Sequence, residues 1–320
     1  MKFLVTGGAG FIGSHLTEKL LALGHDVTVA DNFSTGSPAN LDAVRNAPAL
    51  KVVETDVAED RSTAEKLVKE SDIVIHLAAA VGVELVVNDP ARTISTNVRG
   101  TENVLLPAAA YGKRIIAAST SEVYGKSGKE KFAETDDLLI GSPDHSRWSY
   151  ACSKLLDEFY LTALVRSSGL RGTVTRFFNT VGPRQTGRYG MVLPRFVRAA
   201  LEGKDLQVYG DGGQSRCFCH VADVIRALVA LAGDDRTYGQ VYNIGSQRLV
   251  TIRELAELVI ARTKSPSKIV FVPYEKAYAK GFEDMRRRMP DTAKIRALCD
   301  WTPEKSLEEI VDDVAESMRK

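Results

Sequence analysis

The sequence predicts an α/β protein, a doubly wound parallel sheet with a smaller C-terminal lobe. Through the first 178 residues, short β-branched runs alternate with longer segments whose apolar residues recur at helical spacing. The first run leads directly into a glycine-rich turn and a helix. After Phe178 the alternation gives way to frequent Gly, Pro and Arg between residues 182 and 216, and helical patterns return beyond.

The strand candidates, in order, are Phe3–Thr6, Asp26–Ala30, Lys51–Glu54, Ile73–His76, Ile115–Ala118 and Thr173–Phe177. Each precedes a segment with apolar residues at i, i+3, i+4, such as Ile12–Leu23 and Ala151–Val165. Strands joined through helices run parallel, and a parallel sheet is covered on both faces. Later helices are expected at 192–202, 221–232, 251–263 and 304–318. The expected division is 1–178 for the sheet domain and 179–320 for the lobe. About 217–245 returns to the sheet, through Val241–Ile244 and the helix before it. The chain shows no internal repeat and no low-complexity segment.

Composition narrows the function. The 320 residues carry 42 Lys+Arg against 41 Asp+Glu, a formal net charge of +1, with a pI of about 7.7 and a mean hydropathy of −0.12. That balance points away from nucleic acid and from an acidic tail, and the 44% hydrophobic content is that of a globular chain rather than a disordered one. The most apolar stretch, 73–87, is broken by His76 and Glu84 and is shorter than the about 20 residues a bilayer needs, so no membrane association is expected. Glycines at 7, 8, 10 and 13 break the apolar start that a signal peptide would require, and a cytoplasmic protein is expected. Cys152, Cys217, Cys219 and Cys299 lack CxxC spacing and are expected to be reduced. Cys217-Phe218-Cys219 reads as core packing. His15, His25, His145 and His220 form no ligand pair, so no metal is expected.

The turn Thr6-Gly7-Gly8-Ala9-Gly10-Phe11-Ile12-Gly13 lies between the first strand and the first helix. Gly7, Gly10 and Gly13 permit a tight turn, backbone approach to a pyrophosphate and close helix–strand packing. Asp31 follows Gly13 by 18 residues, against about 20 in a dinucleotide-binding Rossmann unit. Its carboxylate can accept the ribose hydroxyls of adenosine and would repel a 2′-phosphate, so NAD is expected rather than NADP. Asp56 and Val57 follow the third strand, and Leu77, Ala78 and Ala79 the fourth. They fall at carboxyl strand ends, where an open α/β sheet binds its ligand. With Phe11, Ile12 and Asn32 they complete the expected cofactor contacts read from position.

After the fifth strand comes Ser119-Thr120-Ser121-Glu122-Val123-Tyr124-Gly125, and a long helix opens with Tyr150 and Lys154 at i, i+4. A tyrosine of ordinary pKa near 10 acts as a base at neutrality only after a shift of about three units. A lysine ammonium and a positive nicotinamide ring can supply that shift together.

These residues resemble the extended short-chain dehydrogenase/reductase superfamily, and within it the NAD-dependent sugar-nucleotide epimerases, dehydratases and decarboxylases. The resemblance continues through Asp31-Asn32-Phe33-Ser34-Thr35-Gly36, His76-Leu77-Ala78-Ala79, Asn97, Arg176-Phe177-Phe178-Asn179, Gly182-Pro183-Arg184, Tyr209-Gly210-Asp211-Gly212 and Asn243-Ile244-Gly245. It implies that Tyr150 removes the C4 hydroxyl proton of a UDP-sugar, with Thr120 bonded to that oxygen and Lys154 holding the nicotinamide ribose and tuning Tyr150. Ser121 and Glu122 join the implied catalytic set, and Asn97 the cofactor set. Asn179, Arg184, Val192, Tyr209, Arg216, Arg286 and Arg287 form the implied substrate set, with Asn179, Arg216 and Arg286 or Arg287 on the diphosphate.

The Thr120-Ser121-Glu122 triplet looks like the decarboxylases and 4,6-dehydratases rather than the 4-epimerases. The stretches 141–150 and Gln214-Ser215-Arg216-Cys217-Phe218 are similar to UDP-glucuronate decarboxylases, whereas 187–194 looks more like general epimerase-like members. A decarboxylase is the reading carried forward, with UDP-sugar 4-epimerase and 4,6-dehydratase as alternatives. Glu122 reads either as an acid or water-orienting group near C5 or as a partner of a local cation such as Lys126. A non-catalytic NAD sensor and a simple dehydrogenase are rival classes; both Tyr150 and Lys154 being present argues against the first. The likeness also implies a homodimer formed by the helices after Asn97 and after Tyr150, with Val104, Leu105, Leu155, Phe159 and Ala163 as candidate seam positions. Asp31→Arg is expected to weaken NAD binding and move preference toward NADP. Titration with both cofactors checks this, and an unchanged preference removes Asp31 from the ribose site.

Overall fold

The structure, a computed structural model, describes residues 1–187, 191–273, 285 and 287–319. Its first half runs β1 (Lys2–Thr6), α1 (Phe11–Ala22), β2 (Asp26–Asp31), β3 (Leu50–Glu54), α2 (Arg61–Glu70), β4 (Ile73–His76), α3 (Val83–Asn88), α4 (Pro90–Ala110), β5 (Arg114–Thr120), α5 (Trp148–Ser168) and β6 (Arg171–Phe177). There follow β7 (Thr180–Val181), α6 (Val192–Leu201), β8 (Leu206–Tyr209), β9 (Ser215–Cys217), β10 (Cys219–His220), α7 (Val221–Ala232) and β11 (Gln240–Ile244). The chain closes with β12 (Leu249–Thr251), α8 (Ile252–Thr263), β13 (Ile269–Val272), β14 (Arg287–Arg288), α9 (Ala293–Cys299) and α10 (Leu307–Arg319).

Seven strands form one parallel sheet in the order β11-β6-β5-β4-β1-β2-β3. The fold class is the one the alternation predicts. Side chains alternate across each strand, so neighbours in sequence feed opposite cores. Phe3, Val5, Ile73, Ile75 and Ile116 pack with Leu16 and Leu20 of α1 and Val224, Leu228 and Leu231 of α7. Leu4, Val74, Ile115 and Ala117 pack with α2, α4 and α5 through Leu67, Val68, Leu105 and Leu161. The lobe has its own core, made by Leu193, Phe196 and Val197 of α6, Leu255 and Val259 of α8, and Ile310, Val311 and Val314 of α10.

β1 pairs with β2 on one side and β4 on the other, so strand order reverses there and the carboxyl ends open a crevice. β5 runs on to Thr120, two residues past the expected end, which makes Thr120 the last residue of a central strand. α7 and β11 return to the sheet, as does a stretch that the sequence left in the lobe: Ile295 of α9 and Trp301 pack into the α1–α7 core. Trp301 Nε1 donates to Asp223 O at 2.9 Å. Cys217, Phe218 and Cys219 are buried, with Phe218 in the lobe core and Cys219 in the sheet core. These adjacent residues link the two layers.

Val104 and Leu105, offered by the sequence as seam positions, are fully buried in the α2–α4–α5 layer. The large apolar side chains exposed on these helices are Ile94 on α4 and Leu156 and Phe159 on α5.

A buried polar network ties the catalytic half of the sheet together. Arg176 of β6 grips Glu158 of α5, with Nε–Oε1 at 3.0 Å and Nη2–Oε2 at 2.7 Å. Its Nη1 donates to Tyr124 Oη at 2.9 Å, and that hydroxyl donates to Asn243 Oδ1 of β11 at 2.7 Å. Ser119 of β5 donates to the same glutamate. Removing one partner of a buried pair strands the other charge. Glu158→Gln is therefore expected to cost on the order of 3 kcal/mol, read as a lower urea midpoint at unchanged slope.

Candidate active site

A cleft of about 820 Å3 runs from the β1–α1 turn across the carboxyl strand ends to the lobe. At one end the backbone comes unusually close to itself. Gly7, at φ +69°, donates from its N–H to Ala30 O at 2.8 Å. A Cβ on Gly13 would stand 2.1 Å from Gly7 O, and one on Gly7 would stand 2.9 Å from the Ala78 nitrogen. Only glycine permits this closeness. α1 begins at Gly10 with no side-chain cap and no acidic residue in its first turn, so its N–H groups and dipole suit a diphosphate. By contrast, α2, α4 and α8 are capped by Asp60, Asp89 and Thr251.

Asp31 closes the adenosine end. Its Oδ2 accepts from Ala9 N at 2.9 Å and its Oδ1 from Phe33 N at 2.8 Å. Burial holds its carboxyl above the usual range, opposed by these N–H groups. Each oxygen keeps a lone pair for a ribose hydroxyl. Asn32 Nδ2 donates to Asp56 Oδ2 at 2.7 Å, which fixes the β2 and β3 ends against each other. Gly7, Gly10, Phe11, Ile12, Gly13, Asp31, Asn32, Asp56, Val57, Leu77, Ala78 and Ala79 all line the cleft. Glycine cradle, uncapped helix and carboxylate together fit NAD.

Asn97 does not line the cleft. It is buried behind the wall, where its Oδ1 accepts from Ala80 N at 2.7 Å and its Nδ2 donates to Ser153 Oγ at 3.1 Å. It pins the β4-end loop to α5 and so holds the wall in place.

Midway, Thr120, Ser121, Glu122, Tyr150 and Lys154 converge on the cleft. The strand end supplies the first three and the start of α5 the other two. Thr120 faces the Tyr150 hydroxyl and favours its ionised form. Burial above all, then the negative charges of Glu122 and Asp157, push the Tyr150 hydroxyl well above its ordinary value. Lys154 Nζ donates to Asp157 Oδ2 at 2.7 Å, and both side chains are buried.

Glu122 lies between two cations remote in sequence, where the sequence offered the local Lys126. Arg288 Nη1 donates to its Oε1 at 3.2 Å, and Arg147 Nη2 stands 3.8 Å from the same oxygen. Both arginines line the cleft, and the sequence reading paired neither with Glu122. β14 pairs with β9 in the register Arg287↔Ser215, Arg288↔Arg216. Neighbours on a strand point oppositely, and of Arg287 and Arg288 it is Arg288 that reaches the cleft beside Arg216. Arg287 instead contacts Glu130 at 3.4 Å on the surface. Strand alternation was the available signal, but nothing local marks 287–288 as a strand. Arg286 lies outside the described residues.

At the lobe end Asn179, Val192, Tyr209 and Arg216 line the cleft, with Arg195 beside them. Arg195 lies over the Tyr209 ring at 4.3 Å and donates to its hydroxyl. Asn179 adopts φ +35° and donates from Nδ2 to Cys217 O at 3.2 Å. Arg184 lies outside the cleft: it donates to Ser14 Oγ at 3.1 Å and Glu18 Oε1 at 2.5 Å, tying the 182–184 turn to α1.

Comparison with known proteins agrees with this geometry. Residues 3–245 match the model of the NAD dependent epimerase/dehydratase family. The chain is 43% identical over 99% of its length to the UDP-N-acetyl-alpha-D-glucosaminuronate decarboxylase of Bacillus cytotoxicus, 97% of which is covered. It is 36% identical over 96% of its length to UDP-glucuronic acid decarboxylase 1 of Danio rerio, covering 70% of that protein. Among solved structures, the UDP-glucose 4-epimerase of Thermotoga maritima with UDP-glucose superposes at a TM-score of 0.89 with 33% identity, covering 100% of this chain and 99% of that one. With the glycine cradle, Asp31 and the Tyr150–Lys154 pair on one cleft, the chain belongs to the NAD-dependent epimerase/dehydratase family, and its cofactor is NAD.

Proposed function

We propose that this enzyme decarboxylates a UDP-linked hexuronate through a 4-keto sugar. The observation that carries the reading is the catalytic corner, where Glu122, Arg147 and Arg288 stand beside Thr120 and Tyr150. Plain 4-epimerisation needs no charged groups next to C5 and C6. A uronate carboxylate suits guanidinium partners, and a carboxylate at Glu122 suits proton delivery at C5.

What NAD supplies when bound is a reversible hydride acceptor for the sugar carbon bearing the hydroxyl. Tyr150 Oη takes the hydroxyl proton, and Thr120 Oγ1 donates to the same oxygen. With a ketone at C4, the C6 carboxylate is β to a carbonyl. Carbon dioxide leaves, and the negative charge that grows on the C4 oxygen is held by the Thr120 and Tyr150 hydroxyls. A water oriented by Glu122 supplies the proton that C5 takes up in place of the carboxylate, one proton being drawn from solvent per turnover, and the hydride then returns to C4. Asn179, Arg195, Tyr209 and Arg216 hold the nucleotide diphosphate, and Val192 packs at that end. The decarboxylase relatives, at 43% and 36% identity, support a hexuronate with either an acetamido group or a hydroxyl at C2.

Mass spectrometry of UDP-N-acetylglucosaminuronate and UDP-glucuronate after incubation, with trapping of released carbon dioxide, tests the reading. The expected result is a UDP-sugar one carbon shorter with no net cofactor consumed. Tyr150→Phe should retain both ligands and lose turnover by about 10³-fold. Glu122→Ala should prolong the reduced cofactor seen in a single turnover. A C4 epimer with every carbon retained would establish the epimerase reading instead.

The protein is also proposed to be a homodimer. Cys152, Leu156, Phe159 and Ala163 are exposed along one stripe of α5, with Ile94 exposed on α4, which packs against it. Phe159, 66% exposed, is the largest of these, and such a stripe on paired helices suits a two-fold bundle. Leu155 packs instead toward the Tyr124–Trp148 cluster. Sedimentation should show a dimer at micromolar concentration and a monomer for Phe159→Glu; a monomeric parent removes the proposal.

A further inference from the structure

Lys154 does not stand alone beneath Tyr150. One turn along α5, Asp157 accepts its ammonium at 2.7 Å, with side-chain exposures of 3% and 5%. Lys154 lines the cleft and Asp157 does not. Thr101 of α4 faces Asp157 and favours its ionised form. Beyond it, Thr101 Oγ1 meets His76 Nε2 at 3.2 Å, His76 Nδ1 meets Thr6 Oγ1 at 2.8 Å, and Thr6 Oγ1 accepts from Ala78 N at 3.3 Å. The carboxylate is thus held by Lys154 on α5 and flanked by Thr101 of α4, which His76 ties to β4 and β1. Burial, followed by the Lys154 charge, drives the His76 pKa down to about 3, so the ring adds no charge at neutral pH. The other charged groups nearby are Glu122, facing Tyr150 from the β5 end with Arg288 and Arg147 beyond it, and Glu158, which follows Asp157 and is gripped by Arg176 of β6.

A buried ion pair is costly to build and contributes little net stability, so placing one against a reactive pair calls for another role. An ammonium alone would favour tyrosinate at all times. With a carboxylate bonded to that ammonium, much of its field at Tyr150 is cancelled, while its position is fixed before any ligand arrives. We propose that Asp157 is a positioning residue for the base: it fixes the Lys154 ammonium and offsets its charge, so that proton release from Tyr150 waits for a positively charged cofactor. The coupling works in both directions. Once the cofactor ring has become neutral, the same carboxylate favours a protonated Tyr150, ready to return its proton to the C4 oxygen. The inference rests on Tyr150 being the base.

Asp157→Asn tests it, because the amide oxygen still accepts from Lys154 while the charge is gone. Tyrosinate absorbance of the NAD-bound protein is titrated without substrate, with Tyr150→Phe as the blank for the other tyrosines. The Tyr150 midpoint is expected to fall by about one pH unit in Asp157→Asn. The acid limb of the kcat profile is expected to move down with it, and Asp157→Glu to restore the parent values. Asp157→Ser carries the same expectation should the amide variant not fold. A midpoint equal to the parent's, or higher, overturns the proposal and leaves a purely structural ion pair. Failure of the decarboxylase reading shows separately, as retained carbon in the product, and leaves this titration untouched.

Discussion

A parallel sheet admits no tight hairpins, so every strand must be followed by a crossover that lies against one face, and both faces end up dry. Most of this molecule follows from that constraint. The β1–β4 reversal puts successive crossovers on opposite faces, and the strand ends between them part into a crevice. Gly7 and Gly13 let α1 approach β1 without side chains between them, which brings the uncapped helix start to the crevice floor. Thr120, as the last residue of β5, and Tyr150, near the start of α5, meet because α5 packs on β5 and begins at the carboxyl end of the sheet.

The chemistry is then decided by charges held out of water. Glu122 with Arg147 and Arg288, Lys154 with Asp157, and Glu158 with Arg176 form three groups of opposite charges, each at least mostly buried. Burial strengthens every interaction among them and makes an unpaired member expensive. The result is a corner whose fields are fixed before substrate arrives, the preorganisation that favours developing charge in a transition state. The Tyr150 hydroxyl stands among them, its pKa raised by burial and by its acidic neighbours.

The lobe is held to the sheet by polar contacts as much as by packing. Asp223, buried at the start of α7, accepts from Glu304 N at 3.0 Å and pairs with Arg226 at 2.8 Å. His15 of α1 meets Pro183 O at 3.0 Å, and Arg184 adds its bonds to Ser14 and Glu18. Arg184 was expected in the substrate site, and its position shows how a turn residue next to a functional segment is spent on joining layers.

The sequence by itself determined the sheet, its parallel sense, the glycine turn, Asp31 and the Tyr150–Lys154 pair, because each is written in local spacing: period two, period 3.6, a glycine interval, an i, i+4 step. It also placed Thr120, Ser121 and Glu122 at a strand end. The tertiary structure alone decided which distant groups meet them. Arg147 and Arg288 are 141 residues apart in the chain, and they meet at Glu122 because β14 joins β9 in one register that sends Arg288 inward and leaves Arg287 at the surface. Asn97 went behind the wall, and Val104 and Leu105 into the core, since helix periodicity marks an apolar face without saying what covers it. The pairing of Asp157 with Lys154 sits at plain i, i+3 spacing, but its meaning lies in the burial of both charges beside Tyr150, which depends on α4 and β4 closing over them.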